Sequence, residues 1–197
     1  MKPEFTQFPK MARLYRECIV TEKIDGTNAQ ILITEDGDLF AGSRTRWITP
    51  SDDNFGFAAW CEDYRDELLK LGPGRHFGEW WGRGIQRGYG LSTRRFSLFN
   101  VSRWCEYNQE PQQIPTADPR VVKMQQRLPE FCHLVPVLYR GEFDTALING
   151  AMTMLKAEGS KAAPDFMNPE GIVVFHVAGN VGFKFTIGGD GAKGSKP

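Results

Sequence analysis

The sequence predicts an α+β domain, and three observations carry that prediction. Short runs of β-branched and aromatic residues are separated by hairpin signals, two stretches repeat apolar residues at helical spacing, and 197 residues suffice for one substantial core but hardly for two. Hydrophobic residues make up 41% and charged residues 24%, the balance of an ordinary globular chain. One domain over 1–187 is expected, followed by a flexible, glycine- and lysine-rich tail over 188–197.

Taken in order, residues Lys10 to Arg16 read as a short helix or a loop, and Cys18-Ile19-Val20-Thr21 as a strand that delivers Lys23 to its end. Ala29 to Thr34 and Asp38 to Ala41 flank Asp36-Gly37, a dipeptide suited to the positive φ angles of a tight hairpin. Phe57, Trp60, Cys61, Tyr64, Leu68 and Leu71 recur at helical spacing, with Asp52 to Asn54 as caps before them and Gly72 as a stop. Arg75 to Gly82 is a strand with one acidic residue, Glu79, among aromatics, and the glycines at 82, 84, 88 and 90 then make an open loop. Phe96 to Val101 is the next strand, Ser102 to Pro119 a proline-containing surface excursion, and Val121 to Leu128 a short helix. Leu134 to Tyr139 contains Pro136, which cannot donate to a ladder, so it is expected at a sheet edge. A helix from Asp144 to Ala157 stops at Gly159, and two strands, Glu170 to Val177 and Val181 to Thr186, close the chain through a turn at Ala178-Gly179-Asn180.

Several functions are excluded or disfavoured by composition. The formal net charge is +0, so a polyanion must be met by a local basic surface and not by a global field. Arg83, Arg87, Arg94 and Arg95 crowd one such stretch, and Lys10, Arg13 and Arg16 form another. Cys18, Cys61, Cys105 and Cys132 are scattered without a Cys-x-x-Cys pair, and His76, His133 and His176 make no ligand spacing, so packing and hydrogen-bonding roles are expected for all seven. Met1 to Phe5 lacks the apolar core of a signal peptide and no apolar run is long enough to span a membrane, which sets the expectation of a cytoplasmic protein.

The chemistry centres on Thr21-Glu22-Lys23-Ile24-Asp25-Gly26-Thr27-Asn28. A solvated lysine has a pKa of about 10.4 and is a poor nucleophile at neutral pH; burial or a second cation favours the free amine. Gly26 would let a polyphosphate approach the backbone without meeting a Cβ. With Ser43-Arg44, Phe77-Gly78-Glu79, the aromatic strand Phe96 to Val101, Glu170-Gly171-Ile172-Val173 and Phe183-Lys184-Phe185 following in order, the chain resembles the covalent nucleotidyltransferases, the superfamily of ATP-dependent DNA and RNA ligases and messenger RNA capping enzymes. The runs Glu22 to Asn28 and Gly78 to Gln86 look most like the RNA ligase branch that seals nicked duplex RNA.

That resemblance implies a nucleotidyltransferase, ATP-grasp-like domain of two packed antiparallel sheets flanked by helices, with the nucleotide between the sheets. It implies that Lys23 attacks the α-phosphate of ATP to form lysyl-AMP, that Lys184 stabilises the developing charge, and that Asp25, Glu22 and Asn28 order the groups around the nucleophile. Glu79 would hold the ribose hydroxyls, Phe99 in preference to Phe96 would stack on adenine, and Arg44 would hold ribose or a phosphate. Glu170 would bind Mg²⁺, with Mn²⁺ as a substitute, largely through water. The AMP would pass to a 5′-phosphate end, from which a 3′-hydroxyl displaces it, and Arg83, Arg87, Arg94 and Arg95 would hold the nucleic-acid backbone. One departure is the fifth motif, where relatives commonly carry two lysines and Gly182 and Thr186 flank the single Lys184. The sequence ends shortly after that motif, so a monomeric minimal ligase, of a kind that would suit a virus, or one completed by a protein partner is expected. A small DNA ligase, a capping guanylyltransferase and an end-binding module without turnover are the alternatives.

Overall fold

The computed structural model describes residues 3–104 and 128–188. Its strands are β1 Glu17–Lys23, β2 Thr27–Ile33, β3 Leu39–Gly42, β4 Gly74–Gly82, β5 Arg94–Leu98, β6 Cys132–Leu134, β7 Val137–Glu142, β8 Gly171–His176 and β9 Val181–Thr186. The helices are α1 Phe57–Asp63, α2 Arg65–Leu68, α3 Val101–Trp104 and α4 Thr145–Glu158, with a 3₁₀ turn at Leu69–Leu71. They build two sheets, one in the order β7-β1-β8-β9 and one in the order β3-β2-β4-β5-β6. Every strand pair is antiparallel except β5 with β6, which is parallel. The α+β architecture of two packed, mostly antiparallel sheets with flanking helices is therefore what the chain adopts.

The periodicities explain which faces pack. Along β1, Cys18 and Val20 join Ile172 and Val174 of β8 and Leu138 of β7 under Ile148, Ala151, Met152 and Leu155 of α4. The alternate residue Ile19 turns to the larger core, where Ile31, Trp80, Phe96 and Leu98 pack with Phe57, Cys61 and Leu68. Helix α4 is defined at both ends by its sequence: Asp144 Oδ1 accepts from the amides of Ala146 (2.7 Å) and Leu147 (3.2 Å), and Gly159 leaves the helix at φ 79°.

Three expectations change. The single helix over 57–71 is three short segments, because Tyr64 leaves helical geometry at φ −112°, ψ 22°. Its N-cap position is Gly56, at φ 70°, and the first-turn amides of Ala58 (2.8 Å) and Ala59 (3.0 Å) donate to the Asp53 carboxylate further back in the chain. Leu134 to Tyr139 is not one edge strand but parts of two. Pro136 marks the point where the chain leaves β6, at one sheet's edge, for β7, at the other's, and its carbonyl accepts from the Glu22 amide at 2.9 Å. The strand expected over 96–101 ends at Leu98, and Val101–Trp104 turns helical. Of the two alternatives for 10–16 the loop is the one formed, and both hairpins form where expected, with Gly37 at φ 83° and Asn180 at φ 47° in their turns. The helix expected from Val121 lies outside the described residues apart from Leu128, as do Cys105 and the tail beyond Gly188.

Cys18, Cys61 and Cys132 are buried free thiols, and burial pushes the Cys18 thiol up to about 11. His76 Nε2 bonds the Gly72 carbonyl, and His176 bonds the Leu14 carbonyl through Nε2 while Nδ1 accepts from the Gly179 amide. Among the described residues no helix is long and apolar enough to cross a membrane.

Candidate active site

Strand β1 presents Thr21 and Lys23 on the face turned away from α4, and the chain then bends sharply into β2. Gly26 makes that bend possible. A Cβ there would lie 2.5 Å from the Trp80 carbonyl oxygen and 2.7 Å from Trp81 Cβ, so only glycine lets the segment lie against β4. The neighbouring strand therefore requires the glycine, which also lines the cleft described next. Its amide donates to Glu79 Oε1 at 3.0 Å, and Asn28 Nδ2 donates to Glu79 Oε2 at 3.4 Å.

A cleft of about 900 Å³ opens between the two sheets. It is lined from the smaller sheet by Lys23, Glu170 and Lys184, from the larger by Asn28, Glu79 and Phe77, and at its rim by Arg44 and Phe99. Lys23 Nζ donates to Glu170 Oε2 at 2.6 Å, with the lysine side chain 22% exposed and the glutamate 2%. Lys184 stands opposite Val173 on β8, which stands opposite Thr21 on β1. The position in register with Lys23, across Gly171, is Thr186. Phe99 is exposed at the cleft while Phe96 is fully buried under Phe57 and Trp60, so only the former is available to a planar ligand.

Four candidate residues make contacts within the protein itself. The Glu22 carboxylate, expected to serve the nucleotide, is buried and accepts from Ser160 Oγ (2.6 Å), the Lys161 amide (2.7 Å) and the Ala162 amide (3.0 Å), because β1 alternation turns it away from Lys23. Burial raises its pKa, and those three donors oppose the rise. Arg87, expected on nucleic acid, donates Nε to Asp25 Oδ2 at 2.9 Å and one terminal nitrogen to Asn168 Oδ1 (3.0 Å) and its carbonyl (2.9 Å). Arg94 holds the carbonyls of Phe55 and Arg83, and Arg95 lies 5.8 Å over the Trp81 ring and reaches the Ala162 carbonyl. Arg83 is exposed. Arg87, Arg94 and Arg95 thus brace neighbouring segments of the protein, while Arg83, Arg87 and Arg94 remain exposed.

Sequence reasoning missed Tyr89. The Asp25 amide donates to its hydroxyl at 2.8 Å, and its ring packs against Trp81 (5.0 Å) and Phe166 (4.5 Å). The glycines around it signal an open loop, yet residues 82–91 close into successive turns that bury Ile85 and Tyr89. The apolar spacing of those two residues within the glycine run is the signal that was available.

Glu79 carries a pH dependence. Burial raises its pKa from 4.5 to about 7, against the opposing charge of Lys23 and the Gly26 hydrogen bond. Between those values the folded protein binds more protons than the unfolded chain, so stability falls as pH rises through the window, and the penalty is complete above about 7. Glu79→Gln is neutral throughout and is expected to melt above the parent at pH 8, with the gap closing toward pH 4.5. Parallel melting curves across that range would contradict it.

Among the described residues no group of three or more His, Cys, Asp or Glu is assembled to cage a metal. The carboxylates present suit a hydrated hard cation held by one protein oxygen and by ligand phosphates, the mode magnesium prefers.

The RNA ligase family model matches residues 16–186. Among solved structures, the chain is similar to Naegleria gruberi RNA ligase: an apo mutant at TM-score 0.56 and 18% identity over 86% of this chain and 49% of that one. A mutant with AMP and Mn gives 0.56 at 17% over 88% and 50%, and one with ATP and Mn 0.54 at 17% over 86% and 48%. The chain spans about half the length of these proteins, and at such identities the likeness shows the fold. No curated protein gives a significant match.

Proposed function

Since this chain belongs to the RNA ligase family, we propose that it is an ATP-dependent RNA ligase acting through a covalent lysyl-AMP intermediate on 5′-phosphate and 3′-hydroxyl ends, with a nicked duplex containing RNA as substrate. The observation that carries the reading is the Lys23–Glu170 pair, a lysine amine held at 2.6 Å by a buried carboxylate inside a cleft with a carboxylate and an exposed aromatic ring opposite.

In this reading the adenine of ATP stacks on Phe99 and its ribose hydroxyls donate to Glu79, which Gly26 and Asn28 already orient. Asp25, fixed by Tyr89 and Arg87, sets the backbone beside the nucleophile. Lys23 Nζ gives up its ammonium proton to solvent and attacks the α-phosphorus; the N–P bond forms as the bond to the bridging β-phosphate oxygen breaks, pyrophosphate leaves, and the second proton on nitrogen is lost to solvent. Lys184 and Arg44 face the charge that grows on the phosphate oxygens. A divalent cation, Mg²⁺ or Mn²⁺, would be held by Glu170 and supply charge neutralisation at the phosphates. The 5′-phosphate of RNA then takes the AMP from Lys23, and the 3′-hydroxyl attacks that phosphate and releases AMP.

The test uses α-labelled ATP and Mg²⁺, followed by nicked duplexes that differ only in whether the 3′-hydroxyl side is RNA or DNA. Label on the protein, chased into a sealed strand faster with RNA beside the nick, is the expected result, because the 2′-hydroxyl gives the enzyme a group to recognise. Faster sealing of the all-DNA nick would assign a DNA ligase, preferential labelling by GTP a capping enzyme, and an unlabelled protein would end the ligase reading.

A further inference from the structure

The face of the larger sheet that forms one wall of the cleft continues beyond it. Phe40 on β3 and Arg75 on β4 both stand opposite Leu32 on β2, so all three share one face. Two residues back along β2, Gln30 stands opposite Phe77 on one side and Gly42 on the other, and Trp47 bridges to Gly42. Because Gly42 has no side chain, the Trp47 indole and the Gln30 stem fold over it; a Cβ there would fall 2.8 Å from Gln30 Cγ and 3.1 Å from Trp47 Cε3.

The cluster is ordered by its own contacts yet open to solvent. Phe40 and Trp47 lie with ring centroids 5.9 Å apart, and the Arg75 guanidinium sits 5.4 Å over the Trp47 ring while donating to Gln30 Oε1 at 2.7 Å. Phe40 is 46% exposed, Trp47 47% and Phe77 50%. Aromatic rings left half in water on a sheet face are costly unless something covers them. Three rings with an arginine among them match what unpaired nucleic acid needs, flat apolar surfaces for bases and a planar cation for phosphate. The patch is also continuous with the proposed nucleotide cleft, because Phe77 belongs to both.

We propose that Phe40, Trp47, Arg75 and Phe77 form a stacking platform for an unpaired RNA tract leading into the cleft. Bases lie on the Trp47 and Phe40 rings, Arg75 meets a phosphate with the edge not used by Gln30, and Phe77 passes the strand to the reacting end. The choice of RNA rests on the ligase reading above; the stacking surface does not. The platform adds a nucleic-acid contact at the opposite end of β4 from the arginines, and the nicked duplex proposed above would then carry an unpaired flap or gap beside the ends to be joined.

The experiment titrates a fluorescent single-stranded oligoribonucleotide with a 3′-hydroxyl into the full chain and into Phe40→Ala/Trp47→Ala, and measures protein–AMP formation with ATP alone in parallel. Stacking losses measured by alanine substitution elsewhere lead to an expected weakening of about ten-fold or more, with adduct formation at the parental rate. Arg75→Ala should flatten the slope of log affinity on log salt by about 0.7, the value for one phosphate on a single strand. Should the double variant misfold, a 4-thiouridine oligonucleotide crosslinked to the unsubstituted chain decides the matter: attachment at Phe40, Trp47 or Phe77 supports the platform, and attachment confined to other segments overturns it. Unchanged affinity in a folded double variant also overturns it. If the parent then sediments as a dimer that the same substitutions dissociate, the face belongs to a second copy of the chain. Loss of RNA affinity in a chain that never forms the adduct would leave the platform standing and remove the ligase reading.

Discussion

Lys23→Ala is expected to abolish the protein–AMP adduct, a fall of at least about four orders of magnitude, because no other group at that position can form the phosphoramidate bond. The alanine variant alone is open to the objection that it strips a buried carboxylate of the cation 2.6 Å away and loosens the site. Lys23→Arg answers it. A guanidinium keeps the charge beside Glu170 but stays protonated at any working pH and is no nucleophile. The arginine variant should therefore melt close to the parent while forming no adduct, measured by thermal denaturation and by transfer of α-labelled ATP to the chain. Adduct formation in both variants at the parental rate would sink the proposed mechanism.

Glu22→Ala should show the largest loss of stability. Three donors on residues 160–162 lose their acceptor at once, and each buried donor left unmade costs about 1–3 kcal/mol, so a total of about 3–5 kcal/mol is expected once partial hydration is allowed for. At roughly 2–4 °C per kcal/mol for a chain of this size, that is a fall in melting temperature of about 10 °C. Glu22→Gln keeps an acceptor oxygen and should lose less than half as much. A direct ligand of the nucleotide would behave differently: Glu22→Ala would melt with the parent when no nucleotide is present and fall behind only when ATP is added. That pattern in a melting series with and without ATP would return Glu22 to the cofactor.

Strands β1 to β4, β8 and β9, both hairpins and helix α4 were legible because each is fixed locally, by alternation, a turn dipeptide or a cap. The ordered motifs led to a real cleft, where Lys23, Asn28, Glu79, Glu170 and Lys184 do converge. What could not be read depends on contacts between segments distant in sequence. Pro136 announces a missing amide but not that its two flanks belong to different sheets, and nothing near Tyr64 says that a helical pattern will break there. Glu22 and Lys23 are adjacent acidic and basic residues in a motif, and only the strand's alternation separates a structural carboxylate from a reactive amine. Arg87 looked like surface charge because its acceptors at 168 and 169 lie far along the chain.

The braces described above share an address. Tyr89 and Arg87 end on Asp25, two residues from Lys23; Arg87 also ends on Asn168 and Pro169, the two residues before Glu170; Glu22 adjoins Lys23 itself. The protein has consequently given its reactive groups no foundation separate from its architecture. An engineer who redesigns the 82–91 loop for robustness works on the same few bonds as one who redesigns it for turnover. Heat-tolerance and speed should therefore trade against each other more steeply in that loop than at α4, whose cap and stop touch neither Lys23 nor Glu170.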